Sequence, residues 1–130
     1  MIDIEYKDDK LNEVRLADYD LPIYPKDTRG FIYLLVDSLF PEYVKIGRTN
    51  NLAKRLSAGY NADKPYPTAK YIGISIPFAD VIKVEAMILE KVVSEHGVVP
   101  TRQEWFNIEH LDVLKKWVGI AEKSQKELGG

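Results

Sequence analysis

The sequence has no cysteine, which excludes disulfide scaffolds, thiol catalysis and cysteine-ligated zinc or iron–sulfur sites together. Histidine occurs twice, as His96 and His110. Neither has a partner at metal-ligand spacing, so a His-rich metal site is hard to assemble and both are read as structural or surface residues. No apolar run approaches the roughly 20 residues that span a bilayer. The opening Met1–Asp9 has neither the basic start nor the apolar stretch of a signal peptide. A cytoplasmic protein with no membrane partner is therefore expected. Internal repeats and low-complexity tracts are missing as well. What is present is 130 residues that are 45% hydrophobic, 29% charged and 11% aromatic. That is enough apolar side chain for one core and too little chain for two domains.

The net charge of −2 argues against a nucleic-acid partner until its distribution is read. Residues 1–28 hold four basic and eight acidic side chains, a net of −4. Residues 43–70 reverse the sign: Lys45, Arg48, Lys54, Arg55, Lys64 and Lys70 stand against Asp63 alone, a net of +5. A phosphate backbone can use such a footprint. The opposed charges raise the idea that the acidic stretch covers the basic one until DNA displaces it. A plainer reading is that it adds an edge strand or mediates dimerisation.

Pro22 and Pro25 keep their segment out of helices and central strands, so residues 1–28 read as an acidic arm or edge element before one domain at 29–128. Phe31–Val36 and Tyr43–Ile46 are β-branched and aromatic runs joined by a short loop, which predicts a hairpin. Asn50 or Asn51 can cap a short helix carrying Leu52 and Leu56, with Gly59 ending it. Tyr71–Ile76 reads as a third strand and Ala79–His96 as a helix stopped by Gly97. Leu111, Leu114, Val118 and Ala121 mark a last amphipathic helix. The expected fold is α+β: a small α/β sandwich with a three-stranded antiparallel sheet flanked by helices, in the order β-β-α-β-α-α.

Four residues stand out. Projected at about 100° per residue, Glu85 falls inside the apolar arc of Val81, Val84, Ile88 and Val92. A carboxylate there needs a metal, an arginine or a raised pKa. Arg55 lies at the edge of the short helix's apolar face, able to reach a site near the sheet or to pair with Asp63. Tyr33 belongs to the first strand, on either face. Lys45 is polar in an apolar strand, which at a hairpin usually marks the solvent side.

Their spacing unites them. Phe31-Ile32-Tyr33, then Lys45-Ile46-Gly47, then Arg55, Glu85 and Glu104-Trp105-Phe106 in that order resemble the GIY-YIG nuclease family over residues 29–108. The run Tyr43–Leu56 is similar to the branch common in phage and bacterial genomes. The resemblance implies a DNA endonuclease using one divalent metal, Mg2+ or Mn2+. Tyr33 and Lys45 would activate or position water, Arg55 would hold a phosphate oxygen in the transition state, and Glu85 would bind the metal. Arg48, Lys54 and Tyr60 would contact substrate.

The chain also departs from that pattern. Phe31 stands where glycine is typical, and Lys45 replaces tyrosine. The histidine or tyrosine often found one turn after the arginine falls at Gly59, next to Tyr60. Asn107 matches an asparagine that some branches use. No zinc finger or helix-turn-helix fits, which leaves low specificity, a homodimer or a targeting partner to choose the target. The alternative is a module that keeps the fold without catalysis and binds nucleic acid or a protein.

Overall fold

The computed structural model describes residues 1–4 and 21–129. The acidic side chains Glu5, Asp8, Asp9, Glu13, Asp18 and Asp20, on which the covering role of the arm rests, lie outside the described residues.

The architecture follows from one strand. Phe31–Val36 shows no polar alternation, the pattern of a strand covered on both faces. In the structure it forms a central strand whose first five residues are all buried. In chain order the strands are β1 (Ile2–Asp3), β2 (Phe31–Asp37), β3 (Tyr43–Thr49), β4 (Ala69–Ile74) and β5 (Trp105–Asn107). The sheet order is β1-β4-β2-β3-β5, with every pairing antiparallel. The three strands expected are thus the centre of a five-stranded sheet. Of the two additional strands, β1 is an edge strand of the kind that the plainer reading of residues 1–28 predicts, and β5 is three residues long, too short to show any periodicity. Across β2 and β3, Tyr33 faces Gly47 and Leu35 faces Lys45.

The helices are α1 (Leu52–Lys54), which runs into a π-helical turn at Arg55–Tyr60, α2 (Val81–His96) and α3 (Leu111–Gly129). Asn51 caps α1 by accepting from the Lys54 amide at 3.0 Å. Asp80 caps α2 by accepting from the Lys83 amide, and Gly97, at φ 63°, takes the left-handed conformation that ends it. Ile32, Leu34, Val44 and Ile46 pack with Val81, Ile88 and Val92 of α2 and with Leu114 and Val118 of α3. On the other face, Phe31, Tyr33 and Leu35 pack with Leu52, Leu56, Tyr71 and Ile74. Among the described residues no helix is long and apolar enough to cross a membrane.

At the far end of β2, Asp37 is buried and meets Lys64 at 2.7 Å. Burial pushes its carboxyl up. Hydrogen bonds from Lys64, the Leu39 amide and Thr68 outweigh that effect and hold it below the ordinary carboxylate range. A native pKa below the unfolded one contributes stability above the unfolded value, and that contribution is lost as pH falls through the native value. Asp37→Asn is expected to lower stability at pH 7 by about 2 kcal/mol, because Lys64 loses its carboxylate partner and keeps the Thr68 hydroxyl. Urea denaturation should show the deficit shrinking below about pH 4.

Candidate active site

The site is built around a glycine. Gly47 stands opposite Tyr33, and a Cβ at Gly47 would run into the hydroxyl end of the Tyr33 ring. The absence of a side chain thus lets the phenol lie across β3. Tyr33 is 2% exposed and packs against Tyr71 at 5.0 Å between ring centroids. Its hydroxyl lies 2.5 Å from that of Tyr60. Burial, and next the neighbouring Tyr60, push the Tyr33 phenol far above the usual tyrosine range, so it keeps its proton at any physiological pH.

Tyr60 gets there by an irregularity in the helix. Five residues along an α-helix leave two side chains about 140° apart. Bonding from residue i to i+5 widens the turn and brings them toward one face. The Asn61 amide donates to the Leu56 carbonyl at 3.0 Å, an i to i+5 bond, within the π-helical turn that holds both Arg55 and Tyr60. One extra residue is absorbed, and Tyr60 rather than Gly59 faces the sheet. Arg55 is exposed, and its charge reaches Tyr33 and Glu85. Among the described residues no carboxylate lies within ion-pair distance of it, Asp63 included.

Lys45 is not on a solvated face. Its side chain is 18% exposed, with Nζ 5.4 Å from the centre of the Tyr60 ring, 5.9 Å from that of Trp105 and 4.0 Å from Glu104 Oε2. Desolvated contact with two rings and one carboxylate makes this ammonium a fixed charge.

Glu85 satisfies two of its three sequence-derived alternatives together. Its carboxylate, 15% exposed, lies 3.5 Å from Arg48 Nε. Burial still pushes its pKa above the ordinary value, despite Arg48; Glu104 adds to the rise, while Lys45 and Arg55 oppose it. Glu85 comes from the α2 face of the sheet, whereas Tyr33 packs on the α1 face. β5 pairs with Tyr43–Lys45 only, so the edge of β3 is uncovered from Gly47 onward among the described residues, and the charges of Lys45 and Arg55 reach Glu85 from the other side.

Two adjoining hollows extend from this edge. One, of about 290 Å³, is lined by Lys26, Thr49, Asn50, Lys54, Arg55 and Gly59 among others. The other brings Lys26, Arg29, Arg48 and Arg55 together beside Val81. Asn107 is engaged elsewhere, capping the turn Ile108–His110 through the Glu109 amide. His96 accepts from Trp117 Nε1 at 2.9 Å, consistent with a structural role. Sequence reasoning gave Trp105 a packing role only, which it has against the Tyr33 cluster, and gave none to Glu104 or Lys26. The Glu-Trp-Phe triplet carried a signal for the first two; Lys26 carried none.

Among the described residues no group of three acidic or histidine side chains gathers to hold a metal unaided. Magnesium asks for less. It keeps several waters and takes one or two carboxylates together with substrate phosphate. Glu85, with Glu104 near enough to influence its charge, fits that requirement.

No curated protein and no solved structure matches the chain. The family model of the T5orf172 domain, a nuclease-like domain, matches residues 30–122, which include every strand but the two-residue β1 and every residue of the site except Lys26 and Arg29. The chain belongs to the T5orf172 domain family.

Proposed function

We propose that this protein is a metal-dependent endonuclease that hydrolyses DNA phosphodiester bonds. The observation that carries this reading is the meeting of Arg55, free of any carboxylate partner among the described residues, with Lys45, the Tyr33–Tyr60 pair and the half-buried Glu85 at one strand edge. Arg55 holds a non-bridging phosphate oxygen and offsets the charge that builds on it in the transition state. Lys45, fixed by Tyr60, Trp105 and Glu104, adds a second positive charge beside the same group. Tyr33 keeps its proton, so it orients the attacking water by hydrogen bonding, and Tyr60 holds its hydroxyl in place. Glu85, assisted by Glu104, is the residue to hold Mg2+ or Mn2+. Bound there, the ion supplies positive charge at the phosphoryl and leaving oxygens. Arg48 and Lys54 hold flanking phosphates. One observation favours a second reading, in which the domain binds nucleic acid or a protein without cutting: Arg48 already satisfies Glu85 without a metal.

Supercoiled plasmid separates the two readings. The wild type is expected to nick or linearise it with magnesium or manganese and to leave it intact in EDTA. Arg55→Ala should slow cutting by about 100-fold or more, the cost of removing one transition-state donor. A folded wild type that cuts with neither ion would defeat the nuclease reading in favour of the second. The ratio of nicked to linear product reports whether one copy or a homodimer acts.

A further inference from the structure

The segment just before the family-matched residues contributes to the site. Tyr24 donates its amide to the Asn50 carbonyl at 3.0 Å, and Asn50 Nδ2 donates to the Tyr24 carbonyl at 2.6 Å. Four residues later, the Thr28 carbonyl accepts from the Val81 amide at 2.8 Å, and Thr28 Oγ1 donates to the Ala79 carbonyl at 2.8 Å. The stretch from Tyr24 to Thr28 is therefore anchored at both ends, to the β3–α1 loop and to the start of α2. That fixes where Lys26 emerges: on the rim shared by both basic hollows.

The charges around that rim are unbalanced. Arg29 is occupied, with its guanidinium held by Asp27 at 2.9 Å and lying 5.3 Å from the centre of the Tyr24 ring. Lys26, Lys54 and Arg55 line one hollow, and among the described residues none of the three has a carboxylate within ion-pair distance. Like charges gathered on anchored backbone repel one another unless an anion lies between them. The polar groups beside them, from Thr49, Asn50 and Asn51, suit phosphate oxygens equally well.

We propose that Lys26, with Lys54, forms a phosphate-binding subsite for the DNA backbone next to the phosphate held by Arg55. The segment at Tyr24–Thr28 is then one wall of the substrate groove. This inference rests on the nuclease reading, extending it to residues outside the matched domain, and it concerns binding rather than chemistry.

The test is the salt dependence of binding. A short fluorescently labelled DNA duplex is titrated with full-length protein in EDTA, by anisotropy, at sodium chloride from about 50 to about 200 mM. Lys26→Ala is expected to weaken binding several-fold and to reduce the slope of log K against log salt by about 0.9, the contribution of one phosphate. Lys26→Arg should restore the slope. Lys91→Ala, which removes a half-buried lysine of α2 paired with Glu95, should leave both quantities unchanged. A wild-type slope for Lys26→Ala, alongside a reduced one for Arg55→Ala, overturns the subsite and leaves the nuclease reading standing. A wild type that shows no salt-dependent affinity for DNA overturns both. Lys26 is exposed, so its replacement does not endanger the fold.

Discussion

Replacing Glu85 with glutamine is expected to reduce DNA cutting by at least about 100-fold, since even groups that merely orient metal ligands cost 10–100-fold when removed. The same substitution should leave the melting temperature at pH 7 at or above that of the wild type. The two expectations share a cause. Burial, acting against Arg48, raises the Glu85 pKa above its ordinary value, so the native state binds that proton more tightly than the unfolded chain does. The group's stabilising contribution is complete below the unfolded pKa and is lost as pH rises through the native one. Glutamine imitates the protonated form at every pH. Its advantage should therefore be greatest at neutral pH and vanish below about pH 4. Arg48, 44% exposed, is hydrated when its partner goes, so little is lost on that side. Thermal melts at both pH values, with plasmid cleavage in magnesium, check the prediction. Wild-type cutting would remove Glu85 from the site, and a clearly lower melting temperature at pH 7 would mean that its ion pair with Arg48 outweighs its burial.

The same balance explains why some of this protein was legible in its sequence and some was not. β2 could be read because burial on both faces removes every polar residue from Phe31–Val36, and α2 because Asp80 and Gly97 bracket an apolar stripe. β1 is the edge strand that the plainer reading of residues 1–28 allowed, whereas β5 was missed because a strand of three residues holds no period. The gathering of Tyr33, Lys45, Arg55 and Glu85 at one strand edge depends on contacts far apart in the chain. Only their ordered spacing hinted at it. Their surroundings were harder to foresee. Lys45 looks solvated in its strand, because Trp105 and Tyr60, the rings that enclose it, come from distant segments. The π-helical turn has no signature of its own: Arg55–Tyr60 reads as a short α-helix ending at Gly59, whereas in the structure the wider turn accompanies the packing of Tyr60 against Tyr33. Lys26 stands in a segment whose sequence is acidic on average, so its position beside Lys54 depended on the hydrogen bonds between Tyr24 and Asn50.

Gly47→Ala should damage both the fold and the site. Glycine weakens a strand interior, so its presence in β3 implies a close approach by something else, and the Tyr33 ring is what approaches. An added Cβ has three ways out, and each is blocked. The ring cannot swing outward, because Tyr60 and Tyr71 flank it and it is 2% exposed. β3 cannot slide, since a one-residue slip would turn Lys45 and Ile46 to the wrong faces. Nor can β3 move away from β2 without breaking the ladder from Phe31 to Leu35. Overpacking of this kind costs about 1–3 kcal/mol. A melting temperature lower by roughly 5–10 °C is expected for a domain of this size. Cleavage should fall further than stability does, because Tyr33 and Tyr60 lose the alignment that places water. A double-mutant cycle isolates the cause. Tyr33→Leu shortens the obstructing side chain, so it should cost less stability in the Gly47→Ala background than alone, with a coupling of about 1–3 kcal/mol. Cleavage should not return in the double variant, since the hydroxyl is gone. Additive stability effects would show that the alanine is accommodated elsewhere, and Gly47 would then be only a flexible point in the strand.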